Sequence, residues 1–327
     1  SVDAIVGYWD FPVSTMLPLL CQSFGLPSPS FEAVLKCEHK YWSRLEQRRV
    51  IPEYIPDFCA VDPFKDDYQL HITLDYPFWL KPVKAALSQL GFMVRNDSEL
   101  EMAISQIREK IYCFAEPFNY LMQFAELPDD IVAIDGNHCI AEEIISHGQQ
   151  CTLEGYVFNG TFCVYGAVDS IREGEHGSSF SRYQYPSSIP QPVQDKMVAV
   201  TERFLNYIDF DNGPFNIEYY WDKKSGHIWL LEINPRISKS HSPLFRNVDG
   251  MSHHQVMLAL ALGEQPIFPH RQGLYRYAAK FMWRTHTDAL VNRVPTEQEM
   301  QAVMQRITGT EVQLNVCEGM RLSDLNY

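Results

Sequence analysis

Apolar positions along this chain come in short runs separated by Gly, Pro and clusters of polar residues, and several runs carry a recognisable period. Ala4-Ile5-Val6-Gly7-Tyr8 reads as a strand, followed by a helix and the turn Gly25-Leu26-Pro27, so residues 3–27 predict one α/β unit. Residues 30–50 predict a polar helical stretch carrying Lys40, and Ile51 to Phe64 a Pro-punctuated connection with a short strand. Phe78-Trp79-Leu80-Lys81-Pro82 predicts a strand ending in a lysine, and Gly91-Phe92-Met93-Val94 a second strand after a loop of small and polar residues. Ser98-x-x-Glu101 has the form of a capping box, with Leu100, Ile104, Ile107 and Ile111 at helical spacing behind it. Cys139 to Ile145 predicts another strand, stopped by Ser146-His147-Gly148.

Antiparallel signals then take over. Gln150–Val157 and Thr161–Val168 flank Asn159-Gly160, a strong hairpin turn. A polar stretch from Arg172 to Ser181 and a helix from Gln194 to Tyr207 follow. Phe215–Trp221 and His227–Ile233 predict a second hairpin around Lys223-Lys224-Ser225-Gly226. Ser252 is positioned to cap a helix ending at Leu262, with Gly263 as its stop. Thr296-x-x-Glu299 is a further capping box, and Glu311 to Val316 is strand-like. Strands and helices alternate irregularly with hairpins mixed in, which predicts an α+β (mixed α/β) fold rather than a plain doubly wound sheet.

Composition narrows the function classes. With 327 residues, 46% hydrophobic and 21% charged, the chain is an ordinary globular one, long enough for two or three domains. No stretch approaches the roughly 20 apolar residues of a membrane span. The net charge is −14, and no basic cluster is longer than Arg48-Arg49 or Lys223-Lys224, so neither a membrane nor a nucleic acid is an expected partner. The eight cysteines are scattered without a C-x-x-C pair and read as reduced thiols of a cytoplasmic protein. No signal-peptide pattern is visible. The chain opens at Ser1 directly in a strand-like run, and the natural protein is expected to extend further upstream.

The second hairpin carries the most chemistry. Alternation puts Asn216 and Glu218 on one face and Phe215, Ile217 and Tyr219 on the other; on the return strand Leu230, Glu232 and Asn234 share a face. Folding about the turn brings Glu218 and Glu232 within about one position of each other. Two such carboxylates repel unless a cation sits between them, and two Glu with an Asn amide are hard oxygen ligands suited to Mg²⁺. On patterning alone the same residues also fit a solvated hairpin face. Asn234-Pro235-Arg236 ends the strand with a guanidinium beside the pair, and Ile237-Ser238-Lys239-Ser240-His241-Ser242-Pro243 has the small polar character of a substrate loop. His253 and His254 are adjacent on a helix, point to different faces and make a poor chelate.

Glu232-Ile233-Asn234-Pro235-Arg236, preceded by Phe215-Asn216-Ile217-Glu218, resembles the metal-site signature of the ATP-grasp superfamily, which includes D-alanine–D-alanine ligase, biotin carboxylase and the L-amino-acid ligases. The resemblance runs from about Ser30 to the C-terminus. It implies an ATP-grasp fold, two α+β subdomains sandwiching the nucleotide: 1–30 the end of an N-terminal α/β domain, 31–75 a linker helix and connection, 76–146 subdomain A, and 147–327 subdomain B with a C-terminal extension. It implies Mg-ATP (Mn²⁺ as an alternative), with Glu218, Glu232 and Asn234 on the metal. Lys40 and Lys81 resemble the two nucleotide-contacting lysines, and Val83 to Leu90 the cover over the phosphates. This loop has no glycine before Gly91, which leaves Ser88 and backbone N–H groups to cradle phosphate. Glu142-Glu143-Ile144-Ile145 resembles the adenine-reading hinge, Gln150 falls where an acidic ribose contact often lies, and Arg182 is placed to reach a γ-phosphate or substrate carboxylate.

The implied reaction joins a small-molecule carboxylate to an amine or thiol through an acylphosphate, with Arg236, Ser240 and His241 as catalytic candidates and no covalent protein nucleophile. The biotin-carboxylase branch places a glutamate before the histidine of this loop, whereas here Ser240 precedes His241, which favours amide formation. Biotin-carboxylase-like carboxylation and a non-catalytic ATP-binding regulatory module are the alternatives. A homodimer is the expected assembly, being the commonest.

Overall fold

The structure, a computed structural model, describes residues 2–86, 89–172, 180–285 and 287–324. They fall into two compact units, Ser1–Phe281 and Met282–Tyr327. The first unit starts with helices α1 (Val13–Phe24), α2 (Phe31–Glu38) and α3 (Lys40–Val50), strands β1 (Phe58–Val61), β2 (Phe78–Pro82) and β3 (Phe92–Val94), helices α4 (Asp97–Lys110), α5 (Tyr112–Met122) and α6 (Asp129–Val132), and strand β4 (Cys139–Glu143). Then come β5 (Gln149–Phe158), β6 (Thr161–Arg172), β7 (Phe180–Tyr185), α7 (Gln191–Tyr207), β8 (Gly213–Trp221), β9 (Ile228–Asn234), α8 (Ser242–Asp249), α9 (His254–Ala261) and β10 (Ala278–Phe281). The second unit holds α10 (Glu297–Arg306), opened by the expected Thr296–Glu299 capping box.

Among the described residues the strands form two antiparallel sheets, one of four strands ordered β1-β4-β2-β3 and one of six ordered β10-β7-β6-β5-β8-β9. The expected α+β character is therefore what is observed. β1 lies in the stretch read as a connection and forms an edge of the smaller sheet.

The apolar periods explain the layers. Leu100, Ile104 and Ile107 of α4 pack onto Phe78, Leu80, Val94 and Ala141 of the four-stranded sheet. Met197, Val200 and Phe204 of α7 meet Leu153, Ile217, Tyr219, Leu230 and Ile233 on one face of the six-stranded sheet. Burying each such side chain contributes about 1.5–3 kcal/mol, so these two seams hold the sheets' inner faces. The opposite faces of β5, β8 and β9 carry Gln150, Thr152, Glu154, Asn216, Glu218, Glu232 and Asn234. That polar stripe is what the apolar packing of these strands leaves to chemistry.

Four local expectations are corrected. Ala4–Tyr8 joins no sheet and runs along α1, so closely that a Cβ at Gly7 would meet Val13 Cγ1 at 2.7 Å; an apolar run needs a partner edge to become a strand. The cap of α4 is Asn96, whose side chain accepts from Glu99 N at 3.0 Å, two residues ahead of Ser98. Residues 311–316 form no strand. A bulge at Leu231 makes the partner of Glu218 Glu232 but that of Tyr219 Leu230, so Leu230 turns into the core instead of sharing the face of Glu232.

Candidate active site

The β8–β9 register places Glu218 directly opposite Glu232 and Asn216 opposite Asn234. Gln150 Nε2 donates to Glu218 Oε2 at 2.7 Å, and Gln150 Oε1 accepts from Arg172 Nε at 3.0 Å. Burial, reinforced by the neighbouring Glu232, pushes the Glu218 carboxyl up to about 7, against the pull of Arg236 and Arg172. Two carboxylates facing each other across neighbouring strands are an incomplete electrostatic arrangement that a cation would complete. Among the described residues no group of three or more His, Cys, Asp and Glu is gathered to hold a metal. The donor set is thus two carboxylates and an amide, which fits Mg²⁺, an ion that keeps water and phosphate oxygens as its other ligands. Two hydrogen bonds orient the Asn234 amide: its Nδ2 donates to Asn216 Oδ1 at 3.3 Å, and its Oδ1 accepts from Arg236 Nη2 at 3.3 Å.

Arg236 also reaches the N-terminal segment. Its Nη2 lies 3.0 Å from Asp10 Oδ2, and Asp10 Oδ1 accepts from Phe11 N. Burial alone would raise the Asp10 carboxyl; Arg236 and Lys84 outweigh it and hold the group below its ordinary value. Nothing in the sequence around Asp10 signals this contact, because it spans 226 positions. Ser240 is half-buried, 3.4 Å from Lys280 Nζ. His241 is 2% exposed and lies 2.8 Å from Glu154, and burial pushes its imidazole down to about 3. A neutral, enclosed ring of this kind holds structure in place and is a poor proton acceptor.

The nucleotide-side residues converge on α3. Lys40 Nζ is 3.6 Å from Glu232 and 3.4 Å from the carbonyl of Ala85, so it joins the hairpin to the loop after β2. One turn later comes Arg44, which sequence reasoning missed although i, i+4 spacing puts it on the same helix face. Arg44 Nε donates to Glu142 at 2.7 Å, and its Nη atoms donate to the carbonyls of Leu230 at 3.0 Å and Leu231 at 2.8 Å. Lys81 pairs with the other oxygen of Glu142. Burial would raise the Glu142 carboxyl, but Arg44 and Lys81 win and hold it at about 2.

The two adjacent glutamates therefore make distinct contacts. Glu142 anchors cations, while Glu143 accepts from Asp57 N at 3.2 Å. β4 pairs with β2 through Glu143 and with β1 through Glu142, Glu143 N donates to Asp57 O, and the strand ends there with Ile145 buried beyond it. The loop expected to cover the phosphates is fastened at its start: Val83 N donates to His138 O, and Lys84, 3% exposed, pairs with Glu38 at 2.8 Å. Ser88 lies outside the described residues. Arg182, on β7, has its guanidinium 5.5 Å from the Phe281 ring. His253 and His254 diverge as expected, His253 toward Glu154 and His254 toward the Tyr8 ring.

Glu154 is the third residue that sequence reasoning missed. It is fully buried, and its signal in the sequence is a charge midway along the β5 run. All eight cysteines are free, and no helix among the described residues is long and apolar enough to cross a membrane.

Among curated proteins, the uncharacterised protein y4rH of Sinorhizobium fredii (strain NBRC 101917 / NGR234) is 24% identical over 270 residues, 77% of this chain and 48% of that protein. The chain thus spans about half the length of this relative. Among solved structures, the L-amino acid ligase from Bacillus licheniformis matches with a TM-score of 0.72 at 16% identity, over 97% of this chain and 70% of that one. Biotin carboxylase from Campylobacter jejuni matches with a TM-score of 0.62 at 15% identity, over 82% and 57% of the two chains. Both are likenesses of fold. The family model described as ATP-grasp domain matches residues 74–243, which hold Lys81, Glu142 and the whole β8–β9 hairpin, and on that match over half its length this chain belongs to the ATP-grasp family.

Proposed function

We propose that this chain forms the nucleotide site of an ATP-dependent, ADP-forming ligase that joins a small carboxylic acid to an amine or a thiol in the cytoplasm. The observation that carries the reading is the direct pairing of Glu218 with Glu232, with Lys40 against one of them and Arg236 against the adjoining Asn234. Glu218, Glu232 and Asn234 would hold Mg²⁺, or Mn²⁺ in its place; the ion would neutralise phosphate charge. Lys40 and Lys81 would bind phosphate oxygens, and the backbone from Ile144 would meet the base. The substrate carboxylate would attack the γ-phosphorus, forming a P–O bond and releasing ADP. The nucleophile would then displace phosphate from the acyl carbon. Arg236 supplies positive charge for the anionic states of both steps, so orientation and electrostatics carry most of the rate.

The Ser240-His241 pair, with no acidic residue before the histidine, supports amide formation over carboxylation. Incubation with Mg-ATP and pooled amino acids and small carboxylates should release ADP and phosphate. Glu218→Gln and Glu232→Gln should lose this release. Phosphate release that requires bicarbonate and biotin would redirect the reading to carboxylation. ATP binding with no release under any pool would leave a regulatory module.

A further inference from the structure

Glu154 is 0% exposed in the middle of β5, yet it is not sealed in an apolar environment. Its Oε1 accepts from Asn216 Nδ2 at 2.7 Å and from Ser238 N at 3.3 Å, and lies 2.8 Å from His241 Nδ1. One oxygen thereby meets two N–H donors and one imidazole nitrogen, from two elements: β8, two residues before Glu218, and both ends of the 238–241 segment. Its Oε2 has no hydrogen-bond partner among the described residues, with His253 Nδ1 3.6 Å away. His253 Nδ1 is in turn 3.2 Å from the Tyr165 hydroxyl.

A fully buried carboxylate is costly, and an apolar residue of similar volume is often as stable or more so. What an apolar residue could not do is hold three separate polar groups at one point. Asn216 passes the connection on to Asn234, and Asn234 to Arg236, so the same network runs from β5 to the guanidinium. Tyr183 closes the outer side of His241, ring to ring at 4.8 Å.

We infer that Glu154 is a positioning residue that clamps the 238–241 loop onto the hairpin bearing Glu218 and Glu232, and that it fixes His241 as the Nδ1–H tautomer. The loop is then a preformed wall beside Arg236 rather than a segment ordered only when substrate arrives. Its use as the acceptor-side wall rests on the ligase reading; the clamp itself does not.

The test separates the two. In the ¹⁵N-histidine-labelled full chain at pH 8, the His241 ring, assigned with His241→Gln, should show Nδ1 protonated and Nε2 bare. In Glu154→Gln, which keeps shape and removes charge, amide exchange at Ser238 should quicken about tenfold, the loss expected for one charge-assisted bond. Amides of β2 and β4 should not change. An Nε2–H tautomer in the unmodified protein overturns the inference, and this readout stands even where Glu154→Gln does not fold. Unchanged exchange at Ser238 also overturns it, as does equal acceleration in β2 and β4, which would make Glu154 a general stability residue. Absence of Mg-ATP binding by the unmodified protein would instead sink the ligase reading and leave the clamp result intact.

Discussion

Replacing Arg44 by Met should destabilise the protein far more than its position on a polar helix suggests. The guanidinium is 4% exposed and makes four contacts of 3.0 Å or less, to Glu142, Gln47 and the carbonyls of Leu230 and Leu231. Methionine fills much of the volume but supplies no donor. Glu142, 5% exposed, is then left with Lys81 alone, and two carbonyls of β9 lose a partner. Removing one member of a buried pair costs about 3–5 kcal/mol, and each stranded acceptor adds toward the upper end. We expect a loss of about 4 kcal/mol in urea unfolding, seen as a lower midpoint at unchanged slope. Glu142→Leu should cost less, because Arg44 keeps its carbonyls and Lys81, 22% exposed, can turn to water. The double variant should lose at least about 1 kcal/mol less than the sum of the singles, since the stranded charge disappears with both partners. A loss below about 1 kcal/mol for Arg44→Met, or strict additivity in the double variant, would refute the reasoning.

Acid should expose the same pair. The folded Glu142 carboxyl titrates near 2 against an ordinary 4.5, so the native state binds fewer protons; its contribution is complete above about pH 4.5 and is lost as pH falls toward 2. The total is about 3 kcal/mol, and the urea midpoint at pH 3 should approach that of Glu142→Leu. Lys40→Met and Lys81→Met should each weaken Mg-ATP binding about ten- to a hundredfold by calorimetry, the worth of a charge-assisted contact, and a dissociation constant within twofold of the unmodified protein would remove that lysine from the site. Gly155→Ala should cost about 1–3 kcal/mol by thermal unfolding, because its Cβ would stand 2.3 Å from Phe215 Cζ and 2.4 Å from the Cys163 carbonyl, and that backbone has no room to yield.

The hairpins, α7 and the Thr296 cap could be read from the chain because their signals are local: alternation, turn chemistry and side chains that bond three residues away. The Glu218–Glu232 pair was legible for the same reason, as hairpin register follows from turn and period. What misled was whatever depended on a neighbour. Ala4–Tyr8 has strand composition but no sheet edge to join, and the bulge at Leu231 resets the face of every residue before it on β9.

By itself, then, the sequence determined the α+β class, the hairpin that carries the carboxylates, and the lysine at the end of β2. Only the tertiary structure decided what those groups touch. Arg44 meets Glu142 across 98 positions, Asp10 meets Arg236 across 226, and Glu154 gathers Ser238 and His241 from more than 80 residues away. The energy of such contacts comes from burial and convergence in space, and neither a period nor a turn encodes them. The same convergence sets the surroundings of Glu218 and Glu232: on a solvated hairpin they would be two surface charges, whereas here Lys40, Gln150 and Arg236 stand against them.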